Sequence, residues 1–161
     1  MNNLFFAILE TQHRPALRYL AEDLNKQKLK VMLEMTRCIS FVSKHKEKLD
    51  PEFFDDLLAR CAELADIRNL LTYKKDNLNC LARCCEVPVL AYEALLKLCV
   101  ENNLLQEMLQ MSVDSRCHFF YIVSNAEFHV LHSLLKCASS NCPEFGSLML
   151  ATNNSNQNVL Y

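Results

Sequence analysis

Apolar residues recur along this chain mainly at spacings of three and four, the period of a helix with one buried face. The first such stretch, residues 3–12, carries Leu4, Phe5, Ile8 and Leu9. Pro15 can open a second helix bearing Leu17, Leu20, Ala21 and Leu24, because a first turn has no use for the missing N–H. A longer segment, 26–46, holds Leu29, Met32, Leu33, Cys38, Ile39, Phe41 and Val42. Asp50-Pro51-Glu52-Phe53 reads as a helix start, with Asp as cap, Pro first, and an acid in the first turn. Phe54, Leu57, Leu58, Cys61 and Leu64 then form one stripe.

Further helices are predicted over 66–71, 77–85, from about Pro88 to Asn102-Asn103, over 104–111, over 126–138, and from Pro143 to about Leu150. Ser112 or Asp114 is expected to cap a helix running through Phe119 and Phe120. The run Phe119-Phe120-Tyr121-Ile122-Val123 fits a short strand equally well by pattern, but a lone strand has no partner, so helix is preferred. Residues 152–161 read as a polar tail, low in complexity.

Composition narrows the fold class. The chain has 161 residues, enough for one sizeable core, and only one glycine, Gly146, with four prolines. Tight hairpins, phosphate-cradling loops and dinucleotide folds need glycine for left-handed backbone or close approach. Excluding them leaves an all-helical domain over residues 1–151, with 1–49 as N-terminal helices or a cap and 50–151 as repeat-like units.

A repeat is visible within that span. Cys61, Cys99 and Cys137 are evenly spaced, in the settings Leu57-Leu58-Ala59-Arg60-Cys61, Leu95-Leu96-Lys97-Leu98-Cys99 and Ser133-Leu134-Leu135-Lys136-Cys137. The period is just under about 40 residues, and helical units of that length build HEAT and armadillo arrays. The segment from Ala94 to Asn103 resembles the last helix of an armadillo repeat, over units spanning about 50–150, without that family's turn glycines. The resemblance implies a right-handed stack of antiparallel helix hairpins; the alternative is an irregular helical bundle.

Candidate chemistry is sparse. Cys117-His118, His129, His132, Cys137 and Cys142 crowd the C-terminal third, but the chain has no Cys-x-x-Cys and nothing that assembles four zinc ligands. No metal or cofactor is expected. Neighbouring helical residues such as Cys117 and His118 point about 100° apart, which is poor for a thiol and its base. The pair Asp55-Asp56 reads as a solvated acidic face. Lys26, Lys30, Arg37, Lys44 and Lys48 form a basic stripe on a predicted helix, suited to an acidic partner or a nucleic-acid backbone.

With 17 basic and 19 acidic residues there is no global attraction for polyanions. No apolar run is long enough to span a bilayer, and the short run from Leu4 to Leu9 lacks the flanks of a signal peptide. Nine cysteines without such a signal are expected to be buried thiols in a reducing intracellular compartment, cytoplasm or nucleus. The function expected is therefore that of a non-catalytic protein–protein interaction scaffold or adaptor, working within a larger protein or complex or as an oligomer. Partner contacts are expected at Arg60, Glu63, Lys97, Glu101, Asn102 and Lys136, polar positions of the repeated helices. A domain that binds nucleic acid or an acidic partner through the basic stripe is the alternative.

Overall fold

The computed structural model describes residues 2–23, 48–64, 66–74, 76–113 and 116–150. These form helices α1 (Asn2–Thr11), α2 (Arg14–Asp23), α3 (Pro51–Leu64), α4 (Ile67–Thr72), α5 (Cys80–Arg83), α6 (Val89–Glu101), α7 (Leu105–Gln110), α8 (His118–Asn125), α9 (Phe128–Asn141) and α10 (Phe145–Leu150). A short antiparallel ladder, β1 (Ser112–Val113) with β2 (Arg116–Cys117), precedes α8. The fold is all-helical apart from that ladder. No helix among the described residues is long and apolar enough to cross a membrane.

The starts follow local chemistry. Asp50 Oδ1 accepts from the Glu52 N–H at 3.0 Å. Asp66 accepts from the Asn69 N–H at 3.2 Å and Asn79 from the Ala82 N–H at 3.1 Å, each satisfying a donor that the helix cannot. Backbone in the left-handed region is carried after α1 and α6 by Gln12 and Asn103, in the turn before α5 by Asp76 and Asn77, and by no glycine. Asn and Asp tolerate that conformation best among residues with a side chain.

Two expectations are corrected by the backbone. The helix predicted to start at Ser112 or Asp114 starts at His118, because the preceding residues pair as β1 and β2. Pro143 lies in a turn, and the last helix opens at Phe145. Residues 119–123 are helical, as preferred.

The elements recur in order. The long helices α3, α6 and α9 begin at Pro51, Val89 and Phe128, the short α4, α7 and α10 at Ile67, Leu105 and Phe145, and α5 and α8 at Cys80 and His118. The steps are nearly equal, at about 40 residues, the length of a helical-repeat unit. Like packs on like. α2, α3, α6 and α9 form a row in which each touches the next, α5 packs on α8, and α7 packs on α10.

The core lies between the rows. Phe53, Phe54, Leu57, Leu95, Tyr92, Leu134, Leu81 and Phe119 are buried in it, and Phe5 and Leu9 of α1 extend it. Because interiors are close-packed, truncating such a residue leaves a void that relaxes only partly. Leu134→Ala is expected to cost about 2–5 kcal/mol in urea unfolding. Leu90→Ala, at a position 63% exposed, should change stability by less than about 0.5 kcal/mol. Equal effects from the two would contradict this assignment of the core.

Candidate functional site

Among the described residues, two grooves open along the row of long helices. The larger, about 520 Å³, lies between α6 and α9. Its floor is Leu96, Val100 and Cys137, and Lys97, Glu101 and Lys136 stand on its rim. Ser133 Oγ donates to Glu93 Oε1 at 2.6 Å across the same groove. The smaller, about 330 Å³, forms where α2, α3 and α6 meet, between Arg14, Pro51, Glu52, Asp55, Leu90 and Ala94.

Three of the six expected contact residues, Lys97, Glu101 and Lys136, therefore share one groove. They do so because the ridge of α6 and the facing edge of α9 carry them at helical spacing. Lys97 and Glu101 approach to 4.0 Å with both side chains mostly exposed, so their attraction is heavily screened. The other three are occupied locally. Arg60 donates to Glu63 at 2.9 Å on α3, and Asn102 Nδ2 donates to the Leu98 carbonyl at 2.8 Å at the end of α6. Of the basic stripe, Lys26, Lys30, Arg37 and Lys44 lie outside the described residues. Lys48 is exposed, and its carbonyl accepts from Gln12 Nε2 at 2.7 Å.

Two polar clusters were not singled out from sequence. In the first, Arg14 reaches Glu52 and Asp56, and Arg18 reaches Asp56, joining α2 to α3. Burial pushes the Asp56 carboxyl up, and hydrogen bonds from Arg14 and Arg18 outweigh it, leaving the group below its ordinary value. Asp56 is thus a cross-helix partner and not part of a solvated acidic face. In the second, Asn79 and His118 are both buried. Asn79 Nδ2 donates to the Met108 carbonyl at 2.7 Å and to His118 Nδ1 at 3.1 Å, and His118 Nε2 donates to the Asn77 carbonyl at 3.0 Å. That network requires the proton on Nε2.

The same geometry bears on the candidate catalysts. Both nitrogens of His118 are engaged away from Cys117, so the sequence neighbours do not form a thiol–base pair. Burial pushes the Cys84 thiol up to about 12 and the Cys142 thiol to about 11, and raises those of Cys80 and Cys137. A thiol held protonated is a poor nucleophile. The eight described cysteines are thiols, none of them in a disulfide. Among the described residues, no three His, Cys, Asp or Glu side chains are grouped so as to hold a metal ion. His129 and His132 instead pack around the Phe128 ring, at centroid distances of 5.6 and 6.4 Å.

Burial lowers His118 below its ordinary value, and the hydrogen bond to the Asn77 carbonyl only partly offsets this. A depressed folded-state value means that the unfolded chain takes up a proton first as pH falls. Stability should therefore decline as pH drops below about 6.5, by at most about 1.4 kcal/mol per unit for one such group. His118→Gln should flatten that slope in urea titrations between pH 7 and 5, and an unchanged slope would refute the assignment. Asn79→Ala removes a cap and strands a buried carbonyl, and about 2–4 kcal/mol of destabilisation is expected from the two losses together.

No protein-family model matches this chain, no curated protein matches it in sequence, and no solved structure matches its fold.

Proposed function

We propose that this chain is a non-catalytic protein-interaction module, built on the plan of a helical-repeat array and working as a scaffold or adaptor within a larger assembly. The observation that carries the reading is the α6–α9 groove, an apolar floor of Leu96, Val100 and Cys137 under a rim of both charges. Such a groove suits a protein segment that lays an apolar side chain on the floor and meets Lys97, Lys136 and Glu101 with polar groups of its own.

The repeat plan is supported by helices that recur in nearly equal steps and pack like on like. Two unit plans come near the observed length. Three helices per unit, such as α4, α5 and α6, is the armadillo plan that the sequence resembles. A β-turn followed by two antiparallel helices is the ankyrin plan, whose unit is shorter. The β1–β2 ladder ahead of α8 and α9 matches that order of elements in the last unit. Either plan offers its long helices as a continuous surface. The raised thiols, and His118 held in a structural network, support the non-catalytic part of the reading.

The test is affinity capture from cells with the wild type and with Lys97→Glu combined with Glu101→Lys. Both positions are exposed, so the swap should leave the fold intact and keep the net charge. Selective loss of one bound protein is the expected result, with affinity for that protein reduced at least tenfold when both are purified. An unchanged set of partners would remove the groove from the function.

A further inference from the structure

Asp55 and Asp56 are neighbours on α3, and a helix turns neighbours about 100° apart. Asp56 is turned toward α2, where it lies 2.9 Å from Arg14 and 3.1 Å from Arg18. Asp55 is turned toward α6, and it lines the smaller groove together with Leu90 and Ala94 of that helix. Neither of those side chains can donate a hydrogen bond. Asp55 is exposed and has no hydrogen-bond or ion-pair partner among the described residues. The cation that lines the groove, Arg14, already shares its charge between Glu52 and Asp56. On α6, next to Ala94, Glu93 accepts from a neutral hydroxyl, that of Ser133, and keeps its full charge.

The same groove holds an apolar surface. Leu90 is 63% exposed, and Pro51 and Ala94 are half-buried beside it. A single exposed leucine is ordinary on a protein surface. This one lies in a concavity of about 330 Å³, at the small end of the range for ligand clefts, beside a carboxylate without a counter-charge. Room of that size takes one or two side chains.

We infer that the groove between α3 and α6 docks a basic segment of a partner protein, with an apolar side chain against Leu90 and a lysine or arginine on Asp55. Charge complementarity selects the occupant. An acidic segment would bring like charges to Asp55 and Glu52. A purely apolar segment would cover the Asp55 carboxylate without pairing it, which costs free energy. A guanidinium or ammonium supplies the missing donor, and the neighbouring apolar side chain removes Leu90 from water. The inference stands apart from the α6–α9 groove, since Lys97 and Glu101, the positions tested there, do not line this one.

The test is an NMR titration of the full chain, labelled at leucine and alanine methyl groups, with the synthetic peptide Gly-Lys-Leu-Arg-Gly and with its acidic match Gly-Glu-Leu-Glu-Gly. The basic peptide should shift the Leu90 and Ala94 methyl signals saturably, and the acidic one should not. Asp55→Lys should weaken binding about fivefold or more, and Leu90→Ser about threefold. Glu127→Lys makes the same charge change at an exposed acid that does not line the groove, and should weaken binding less than about twofold. Circular dichroism should show unchanged helix content, and if Asp55→Lys loses helix, Asp55→Asn is read in its place, with an expected loss of about threefold. A basic peptide that produces no saturable shift at Leu90 would overturn the proposal. So would equal binding of the acidic peptide, or a loss with Glu127→Lys as large as with Asp55→Lys. Leu90 and Ala94 signals that move when the protein is concentrated without peptide would assign the groove to a second copy of the chain and overturn it as well.

Discussion

The hydrogen-bonded contact between Asn79 and His118 is the constraint on which the packing of the short helices against one another depends. It joins the start of α5 to the start of α8 and, through Met108, to α7, so three helices meet at two side chains. Buried polar groups are costly when unpaired and strong when fully paired. Here the Asn79 amide has its oxygen on the Ala82 N–H and its nitrogen on Met108 and His118, and the imidazole spends its remaining nitrogen on Asn77. Apolar packing would tolerate small slips between helices. A network with each donor matched to one acceptor does not, and it thereby sets the register in which α3, α6 and α9 line up.

That register is what turns three separate helices into a surface. Each long helix touches the next at corresponding positions, but the chemistry of the contact changes from step to step. Between α2 and α3 it is ionic, with two arginines around Asp56. Between α6 and α9 it is one hydroxyl–carboxylate bond. Arg68 with Glu107 adds a further link, from α4 to α7 at 2.6 Å. The ionic step sets two arginines around one carboxylate, whereas the α6–α9 step leaves room for a groove with an apolar floor. Both grooves open where a small residue, Ala94 or Ser133, takes the place in the row that Asp56 occupies between its arginines.

Much of this was legible in the sequence. Spacing at three and four and the Asp50-Pro51 start located α3, and the evenly spaced cysteines located the corresponding turns of α3, α6 and α9. What was not legible has identifiable causes. The β1–β2 ladder is too short for alternation to register, and Ser112 and Asp114 are as good in a turn as at a helix start. Arg14, Arg18, Asn79 and His118 gave no local signal, since their partners lie on helices far away along the chain. Arg60 and Glu63 read as open polar positions but satisfy each other on one helix. Lys97, Glu101 and Lys136, three of the six polar positions read from the helices, line one groove because α6 and α9 pack side by side.

The distribution of charge decides what kind of recognition the groove can support. Arg14, Arg18, Arg60, Arg68 and Arg83 each have a carboxylate partner, so little field extends from them. With a net charge of −2 the chain also lacks a global potential that would draw in a charged partner. Association would therefore rest on short-range fit rather than on long-range steering, with modest on-rates and weak dependence on salt. Within the groove, Lys97 and Glu101 are held only loosely to each other at 4.0 Å, and a partner can exchange that screened pair for its own charges at little cost. Under the proposed reading, specificity would come from the demand that an apolar group reach Leu96 and Val100 while charges of the right sign fall on either side. A surface held in one register would meet that demand, and the buried Asn79–His118 contact ties together the helices that support it.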